Sequence, residues 1–396
     1  MLDFRFQSPT RIDFGRSWLD SLVDETRALA AKHVLVVYGG TFLEESGVLD
    51  SLVARLRSDG ARVTLRGDVV PNPSVSSVER LVSGLEDAGI DLVLSVGGGS
   101  TIDSGKAVAL RLAQPNVTLE DLLMGRVEAT GALPVGVVLT LAGSGSESSC
   151  SMVLTIDEGC LKRSYDSDVI RPRFAILDPE LTFSLPRYQM ISGACDILMH
   201  AMERYFSPTK DTELIDRMGE GLMEAVVSAI RASADNPNDY EARATLMWAG
   251  SLAHNGLLGT GREEDWACHR LEHELSGMFG VVHGAGLCAV WGSWAEYVRP
   301  SHPDRFAVFA RRVLHVGTGL PDEEAGKLGI ACLVSLFAEV GMPTSVFELL
   351  GERISDQEIE RMAGNCLLTQ ESIGGLMPLR HDDICAIYRK AAKAYD

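Results

Sequence analysis

Apolar runs rich in β-branched residues alternate with amphipathic stretches along the first half of the chain. Four such runs occur, each followed by a turn containing glycine or proline, at residues 33–37, 91–96, 133–140 and 174–177. Amphipathic segments such as residues 74–86 lie between them. An apolar strand, a glycine-rich turn and a helix in succession are typical of parallel βαβ units, whose strand ends face ligands. We therefore predict a Rossmann-like α/β domain with a parallel sheet.

The pattern changes after Leu185-Pro186, and no comparable strand signal recurs. Helical periodicity dominates the remaining chain, most clearly at residues 191–205, 211–232, 240–255 and 323–340. A chain of 396 residues also exceeds what one hydrophobic core usually supports. We therefore predict two domains, an α/β domain over residues 1–186 and an all-helical domain over residues 187–396.

Composition and charge narrow the class of protein. Hydrophobic residues make up 46% of the chain and charged residues 23%, which is typical of a folded globular protein. The net charge of −19 opposes binding to nucleic acid or to an anionic membrane, because both are polyanions. No apolar run is long enough to span a bilayer, the first residues lack a signal-peptide pattern, and the eight cysteines form no CxxC pair. We expect a cytoplasmic protein with neither a disulfide scaffold nor a thiolate zinc site.

Residues of metal-ligand type gather in the helical half. Asp196 and His200 stand four apart, which places both on one face of a helix, and His269 and His283 follow fourteen apart. A single histidine in apolar helical sequence is more often a buried core residue than a ligand. One carboxylate with three imidazoles, however, suits a borderline divalent cation such as Fe²⁺ or Zn²⁺. The sequence therefore predicts a metal site in this half.

Two polar, glycine-containing segments follow strands in the first half. In GGGSTIDSGKA, residues 97–107, consecutive glycines could let backbone N–H groups approach a pyrophosphate at a helix start. The Walker P-loop pattern fails there because Ser100 and Ala107 replace its first glycine and its Ser/Thr, and GxGxxG fails as well. TLAGSGSESS, residues 140–149, could bind a carboxamide or a phosphate. For both segments a plain turn or loop stays open on spacing alone.

A series of motifs spread in order over nearly the whole chain resembles the iron-containing (group III) alcohol dehydrogenases, in particular their NADPH-dependent butanol dehydrogenase and aldehyde reductase branch. The motifs are RIDFG, VVYGG, SGVLD, PNP, GGGSTIDSGK, TLAGSGSESS, LDPELTFSLP, GACDILMHAMERY, NGLLGTG, DWACHRLEHELSG and the HG pair at His283. The resemblance implies a dehydroquinate synthase-like fold, with chemistry at the domain junction. It also implies a homodimer that transfers a hydride between NADP(H), or alternatively NAD(H), and a small alcohol/aldehyde pair.

The resemblance assigns roles residue by residue. The implied metal ligands are Asp196, His200, His269 and His283. The implied pyrophosphate loop contains Gly98, Gly99, Ser100 and Asp103, and other cofactor-contacting positions are Asn72, Thr140, Ser144, Ser149 and Lys162. His273 matches a histidine beside the metal that assists proton transfer or substrate positioning. In Tyr38-Gly39-Gly40-Thr41, at the cofactor ribose, Gly39 stands where NAD-selecting members carry a carboxylate, so the resemblance implies NADP(H).

Three positions depart from the family pattern: Glu272 replaces an expected glycine, Phe279 a histidine, and Phe42 a serine near the 2′-phosphate. Glu272 also completes HxxEH from His269 to His273, the signature of inverted zinc peptidases, which is a distant alternative. The peptidase hypothesis leaves Asp196, His200 and the glycine-rich segment unexplained. Two further hypotheses stay open: a fold relative without redox activity, and an NAD-dependent glycerol- or lactaldehyde-type dehydrogenase.

Overall fold

The computed structural model describes residues 1–40 and 42–393. These residues form two compact units. One unit is Gln7–Leu185, and the other joins Met1–Phe6 to the chain from Pro186 onward. The division near residue 186 coincides with the change in hydrophobic pattern. The short first segment, in contrast, belongs to the second unit.

The first unit is an α/β structure built on a six-stranded parallel sheet. Its strands are β1 (Arg11–Phe14), β2 (His33–Tyr38), β3 (Arg62–Arg66), β4 (Leu92–Gly97), β5 (Val135–Leu139), the hairpin strands β6 (Ser151–Ile156) and β7 (Leu161–Asp166), and β8 (Phe174–Leu177). Its helices are α1 (Trp18–Ala28), α2 (Phe42–Glu45), α3 (Val48–Ser58), α4 (Val75–Val82), α5 (Gly99–Ala113) and α6 (Leu119–Leu123). The predicted Rossmann-like class is thereby confirmed for this unit.

The strands of the sheet lie in the order β1-β8-β5-β4-β2-β3, and their burial differs between the middle and the edges of the sheet. The four middle strands are continuously apolar because both of their faces are covered, as in β4, where every residue is buried. Their side chains form one core that includes Val36, Leu94, Val138 and Ile176. The sequence pattern predicted these four strands. The outer strands β1 and β3 carry arginines and are largely exposed or half-buried, so no apolar run marks them.

The regular secondary structure among the described residues of the second unit is helical, apart from one isolated bridge between Ile373 and Leu379. Its helices are α7 (Arg187–Tyr205), α8 (Glu213–Asp235), α9 (Tyr240–His254), α10 (Ala267–Phe279), α11 (His283–Val298), α12 (Pro303–Arg312), α13 (Asp322–Glu339), α14 (Val346–Leu350), α15 (Asp356–Cys366) and α16 (His381–Ala391). Stacked aromatic rings, such as Phe206 on Phe306 at 4.6 Å between centroids, fill its core. Among the described helices, none is long and apolar enough to cross a membrane.

Candidate metal centre and cofactor loops

Asp196 and His200 lie one turn apart on α7, and both side chains are buried. His200 Nδ1 donates a hydrogen bond to the Asp196 carbonyl oxygen at 3.0 Å and lies 3.2 Å from Asp196 Oδ1. Because a neutral imidazole carries one proton, this bond leaves the lone pair on His200 Nε2. The helix therefore presents a carboxylate oxygen and an imidazole nitrogen side by side.

His269 reaches the same carboxylate from α10. Its Nδ1 donates to Glu203 Oε1 at 2.6 Å, and its backbone N–H donates to the same oxygen at 2.9 Å. These two bonds fix the ring so that Nε2 lies 3.7 Å from Asp196 Oδ1. The ring centroids of His200 and His269 are 4.5 Å apart. Potential ligand atoms of Asp196, His200 and His269 all lie within 4.8 Å of one another.

His283, the first residue of α11, approaches from another side. Its Nε2 also lies 3.7 Å from Asp196 Oδ1, and its ring centroid is 5.4 Å from that of His269. Its Nδ1 donates to Glu272 Oε2. The structure thus brings together all four residues predicted as metal ligands, with Asp196 Oδ1 at their centre.

Two atoms at this centre point to a bound cation. Asp196 Oδ1 and His269 Nε2 are buried without a hydrogen-bond partner in the part of the chain that the structure describes. Burying polar atoms without partners costs free energy, and a divalent cation would satisfy both at once. One carboxylate and three imidazoles form a donor set that suits Fe²⁺ or Zn²⁺. The residues present therefore fit the predicted metal.

The protonation states agree with this arrangement. Burial keeps the pKa of His200 well below its usual range, so the ring stays neutral. Burial alone would raise the pKa of Asp196, but the surrounding imidazoles outweigh it and hold the carboxyl ionised. Burial opposes a proton on His269, yet the nearby carboxylates of Asp196 and Glu203 raise its pKa to about 9. The centre therefore favours positive charge at His269 Nε2.

His273 and Glu272 lie beside this centre on α10. The buried ring of His273 lies 5.7 Å from that of His283 and 6.5 Å from that of His269, between centroids. Glu272 is fully buried, and its oxygens accept hydrogen bonds from Ser276 and His283. A peptidase would need this carboxylate to activate a water molecule. Its burial and its bonds to the protein speak against the peptidase hypothesis.

The glycine-rich segment forms the start of α5. Gly98 is the N-cap and Gly99 the first helical residue, directly after β4. A Cβ on Gly98 would come within 2.9 Å of Leu141 Cβ, and one on Gly99 within 2.6 Å of Ser144 Oγ. Both glycines therefore let the loop of residues 140–149 pack against the helix start. Ser100, in the first turn, is half-buried.

A buried ionic network links these two segments. Lys106 is fully buried, and its ammonium donates to Ser146 Oγ at 2.8 Å, to the Ser149 carbonyl oxygen at 3.1 Å and to the Ser151 carbonyl oxygen at 2.6 Å. Asp103 accepts from Ser146 Oγ at 2.6 Å and from the Val153 N–H at 3.0 Å. Asp103 and Ser149, both predicted cofactor contacts, therefore also stabilise the loop of residues 140–149 through buried hydrogen bonds.

Lys162 and Asn72, far apart in sequence, are in contact. Lys162 Nζ donates to Asn72 Oδ1 at 3.0 Å, and Lys162 is buried. It lies on β7 and pairs in register with Thr155 of β6. Thr140, another predicted cofactor position, follows β5 and donates its N–H to Gly97 at 3.0 Å. Thr140 and Ser144 thus lie on the loop that follows β5, Lys162 lies on the hairpin strand β7, and Asn72 lies on the loop between β3 and α4.

Gly39 lies directly after β2 in a confined position. A Cβ there would come within 3.1 Å of Thr101 Oγ1 and 3.2 Å of Val69 Cβ, so a larger side chain would displace its neighbours. Gly40 follows with φ +90°, a conformation that favours glycine. Thr41 was also predicted to bind cofactor, but it lies outside the described residues.

Glu203 was not among the predicted site residues, and Glu272 was predicted only as a departure from the family pattern and as part of the HxxEH alternative. A signal existed for Glu203, because residues 196, 200 and 203 share one face of α7 at helical spacing. The contact of Glu272 with His283 depends on how α10 and α11 pack. Periodicity within either helix could not have revealed it.

Family models for iron-containing alcohol dehydrogenases match both halves of the chain. The model "Iron-containing alcohol dehydrogenase" matches residues 9–179, and the family's C-terminal model matches residues 190–392. Together the two models span most of the sequence. The chain therefore belongs to this family over nearly its whole length.

Curated relatives and a solved structure agree with the family models. The chain is 31% identical to NADH-dependent butanol dehydrogenase A of Clostridium acetobutylicum, over 99% of this chain and 100% of the relative. It is 33% identical to the NADPH-dependent aldehyde reductase YqhD of Escherichia coli, over 87% and 88% of the two chains. The crystal structure of NADH-dependent butanol dehydrogenase A from Thermotoga maritima superposes with a TM-score of 0.94 at 33% identity, covering 99% of each chain.

Proposed function

Because the chain belongs to the iron-containing alcohol dehydrogenase family, we propose that it transfers a hydride between NADP(H) and a small primary alcohol/aldehyde pair, as a butanol dehydrogenase or aldehyde reductase. Family membership makes it an alcohol/aldehyde oxidoreductase that uses a nicotinamide cofactor and a divalent metal. The observation that carries the proposal is the convergence of His200, His269 and His283 on the unpartnered Oδ1 of Asp196.

Asp196, His200, His269 and His283 would hold one Fe²⁺ or Zn²⁺. When bound, such a cation supplies Lewis-acid stabilisation of the negative charge that develops on the substrate oxygen during hydride transfer. Asp196 contributes the negative charge that keeps a cation in a buried site. His273, whose ring lies 5.7 Å from that of His283, is the group proposed to carry a proton to or from the substrate oxygen.

Most of the proposed cofactor residues follow the carboxyl ends of strands β2, β4 and β5, where parallel sheets bind ligands, and Asn72 and Lys162 lie on the loop after β3 and on β7. The N-terminus of α5, from Gly98 to Ser100, would face the pyrophosphate, since its backbone N–H groups and helix dipole favour anions. Lys162, hydrogen bonded to Asn72, would bind the ribose or a phosphate as a compact cation.

We propose NADP(H) as the preferred coenzyme because Gly39 places no carboxylate beside β2 to repel a 2′-phosphate. NAD(H) is the alternative, and the names of relatives include both NADH- and NADPH-dependent enzymes. Steady-state kinetics with an aliphatic aldehyde distinguish the two. We expect a higher kcat/KM with NADPH than with NADH, and an equal or lower value would reject the preference.

Metal removal tests the proposed chemistry. Dialysis against a chelator, or the variant His269→Ala, should abolish aldehyde reduction while far-ultraviolet circular dichroism retains most of the helical signal. His315→Ala serves as a control, because His315 is exposed and pairs only at the surface with Glu224 at 2.8 Å. Full activity in protein verified to be metal-free would contradict the proposal.

We also propose that the protein is a homodimer. Leu2, Phe4 and Phe6 alternate with Asp3 and Arg5 and expose 53%, 57% and 42% of their surface. Exposed apolar side chains that recur at every second residue are suited to contact with a second copy. Light scattering coupled to gel filtration should give twice the mass of one chain. A monomeric mass at micromolar concentration would reject the proposal.

A further inference from the structure

Glu272 is a buried carboxylate at the junction of α10 and α11, at a position where the family pattern led us to expect glycine. It is 0% exposed, although an ionised carboxylate is costly to bury unless hydrogen bonds satisfy it. Ser276 Oγ, one turn further along α10, donates to its Oε1, and His283 Nδ1 donates to its Oε2. Both oxygens are therefore engaged, one within α10 and one with the first residue of α11.

The bond to His283 selects the tautomer that a metal ligand needs. With its proton on Nδ1 and donated to Glu272, the neutral ring carries its lone pair on Nε2. That atom is the one that lies 3.7 Å from Asp196 Oδ1. We propose that Glu272 is a positioning residue that orients His283 for the metal and increases its basicity. The inference rests on the proposed metal site and adds a role for this chain's own departure from the family pattern.

His283 depends on such a bond more than the other two ligand histidines do. The side chains of His200 and His269 are each only 5% exposed, and their rings contact each other and the ring of Trp266. The side chain of His283 is 25% exposed. A ring on the first residue of a helix, partly in solvent, can rotate unless a directed hydrogen bond holds it. Glu272 supplies that bond.

The neighbouring helix makes room for Glu272. Gly286 lies one turn after His283 on α11, and a Cβ there would come within 2.8 Å of both Cγ and Oε1 of Glu272. Two residues on different helices therefore fit each other: a glutamate on α10, and a glycine on α11 beside the histidine that the glutamate holds. The absence of a side chain at residue 286 is therefore what allows the Glu272 carboxylate to occupy its buried position beside His283.

Metal affinity of the metal-free protein tests the inference without relying on turnover. The dissociation constant for Zn²⁺ is measured by competition with a chromophoric chelator, and the absorption spectrum of added Co²⁺ reports the ligand set. Glu272→Leu should bind Zn²⁺ about 10- to 100-fold more weakly than the wild type. Glu272→Gln should recover most of the loss, because its amide oxygen can still accept from His283 Nδ1.

The matched control is Glu220→Leu, which removes another buried carboxylate of the same unit. Glu220 accepts from Tyr205 Oη at 3.1 Å and from Arg312 at 3.1 Å, neither of which belongs to the metal set. This control should lower the melting temperature and leave Zn²⁺ affinity unchanged. If Glu272→Leu fails to fold, Gly286→Ala keeps the carboxylate but displaces it, and should also weaken Zn²⁺ binding.

Asp196→Asn separates failure of the inference from failure of the metal site. If Asp196→Asn loses Zn²⁺ affinity but Glu272→Leu binds as tightly as the wild type, the inference is wrong and the metal site stands. If Asp196→Asn also binds as tightly as the wild type, the proposed metal site and the inference fall together. Weakened binding in both variants, with recovery in Glu272→Gln, supports the positioning role.

Discussion

Lys106→Met provides a quantitative test of the buried ionic network of Lys106 and Asp103. This network joins the start of α5 to the loop of residues 140–149, the two segments proposed to bind the cofactor. Methionine fills similar space but removes an ammonium that donates to Ser146 and to the carbonyl oxygens of Ser149 and Ser151. It also removes the stronger of two lysine charges that act on the buried Asp103, the other being that of Lys162. Removing one partner from a buried charge network costs about 3–5 kcal/mol of stability.

The pH dependence of this loss follows from the pKa of Lys106. Burial lowers that pKa from 10.5 to about 8, and the charge of Asp103 only partly opposes the effect. Between these values the unfolded chain still holds the proton that the folded protein has released, so the wild type gains stability as the pH rises. The methionine variant lacks this gain. The difference between the two proteins should therefore widen by up to about 3 kcal/mol between pH 8 and 10.5.

The measurement is equilibrium urea unfolding of both proteins at matched pH values, followed by circular dichroism. The contributions of groups that titrate alike in both proteins largely cancel in the difference between the two free energies of unfolding. We expect a loss of about 3–5 kcal/mol near pH 7, where Lys106 is an ammonium in the folded protein, and a larger loss near pH 10, where the folded wild type has released that proton. A difference that stays constant, or narrows as the pH rises, would refute the reasoning.

Two further predictions concern the cofactor loops. Lys162→Ala should weaken NADPH binding by about 1.5–3 kcal/mol, or roughly ten- to a hundred-fold, in a fluorescence titration, whereas the exposed Lys32→Ala should have little effect. Equal effects of the two substitutions would show that Lys162 does not contact the cofactor and contributes only general positive charge. Gly99→Ala should cost about 1–3 kcal/mol of stability, because its methyl group would lie 2.6 Å from Ser144 Oγ. Adding Ser144→Gly should restore part of that stability, and no restoration would show that the strain lies elsewhere.

The fold was predictable wherever burial dominates the sequence pattern. The strands β2, β4, β5 and β8 are covered on both faces, so each is a continuous apolar run. The long helices of the second unit were equally clear, because their periodicity extends over many turns. In contrast, β1 and β3 are edge strands whose arginines break the apolar run, and the hairpin β6–β7 contains polar residues on both strands. Pairing with neighbours, rather than local sequence, defines these elements.

The candidate site was predictable to the extent that its residue types are unusual. A carboxylate and three histidines in apolar helical sequence already indicated a cation. The local setting of Lys162 was less clear, because its polar segment is typical of a hairpin or loop on the surface; the segment is a hairpin strand, β7, but the lysine itself is buried. Arg163 beside it is buried as well, so its substitution is a poor control for surface charge. Burial at a hairpin depends on the packing of both strands, which local polarity does not reveal.

The hydrogen bonds around the three proposed ligand histidines favour a bound divalent cation over a protonated centre without metal. Each Nδ1 donates to a different acceptor: a helix carbonyl oxygen for His200, Glu203 for His269 and Glu272 for His283. All three rings are thereby held with Nε2 available, while three buried carboxylates, counting Asp196, surround them. In the absence of a metal, the negative charge of these carboxylates favours a proton on His269, whose pKa is raised to about 9. A divalent cation compensates more of the negative charge than one proton does and binds several nitrogens at once. The carboxylates that accept hydrogen bonds from the proposed ligands would therefore also supply part of the electrostatic free energy of binding the proposed cation.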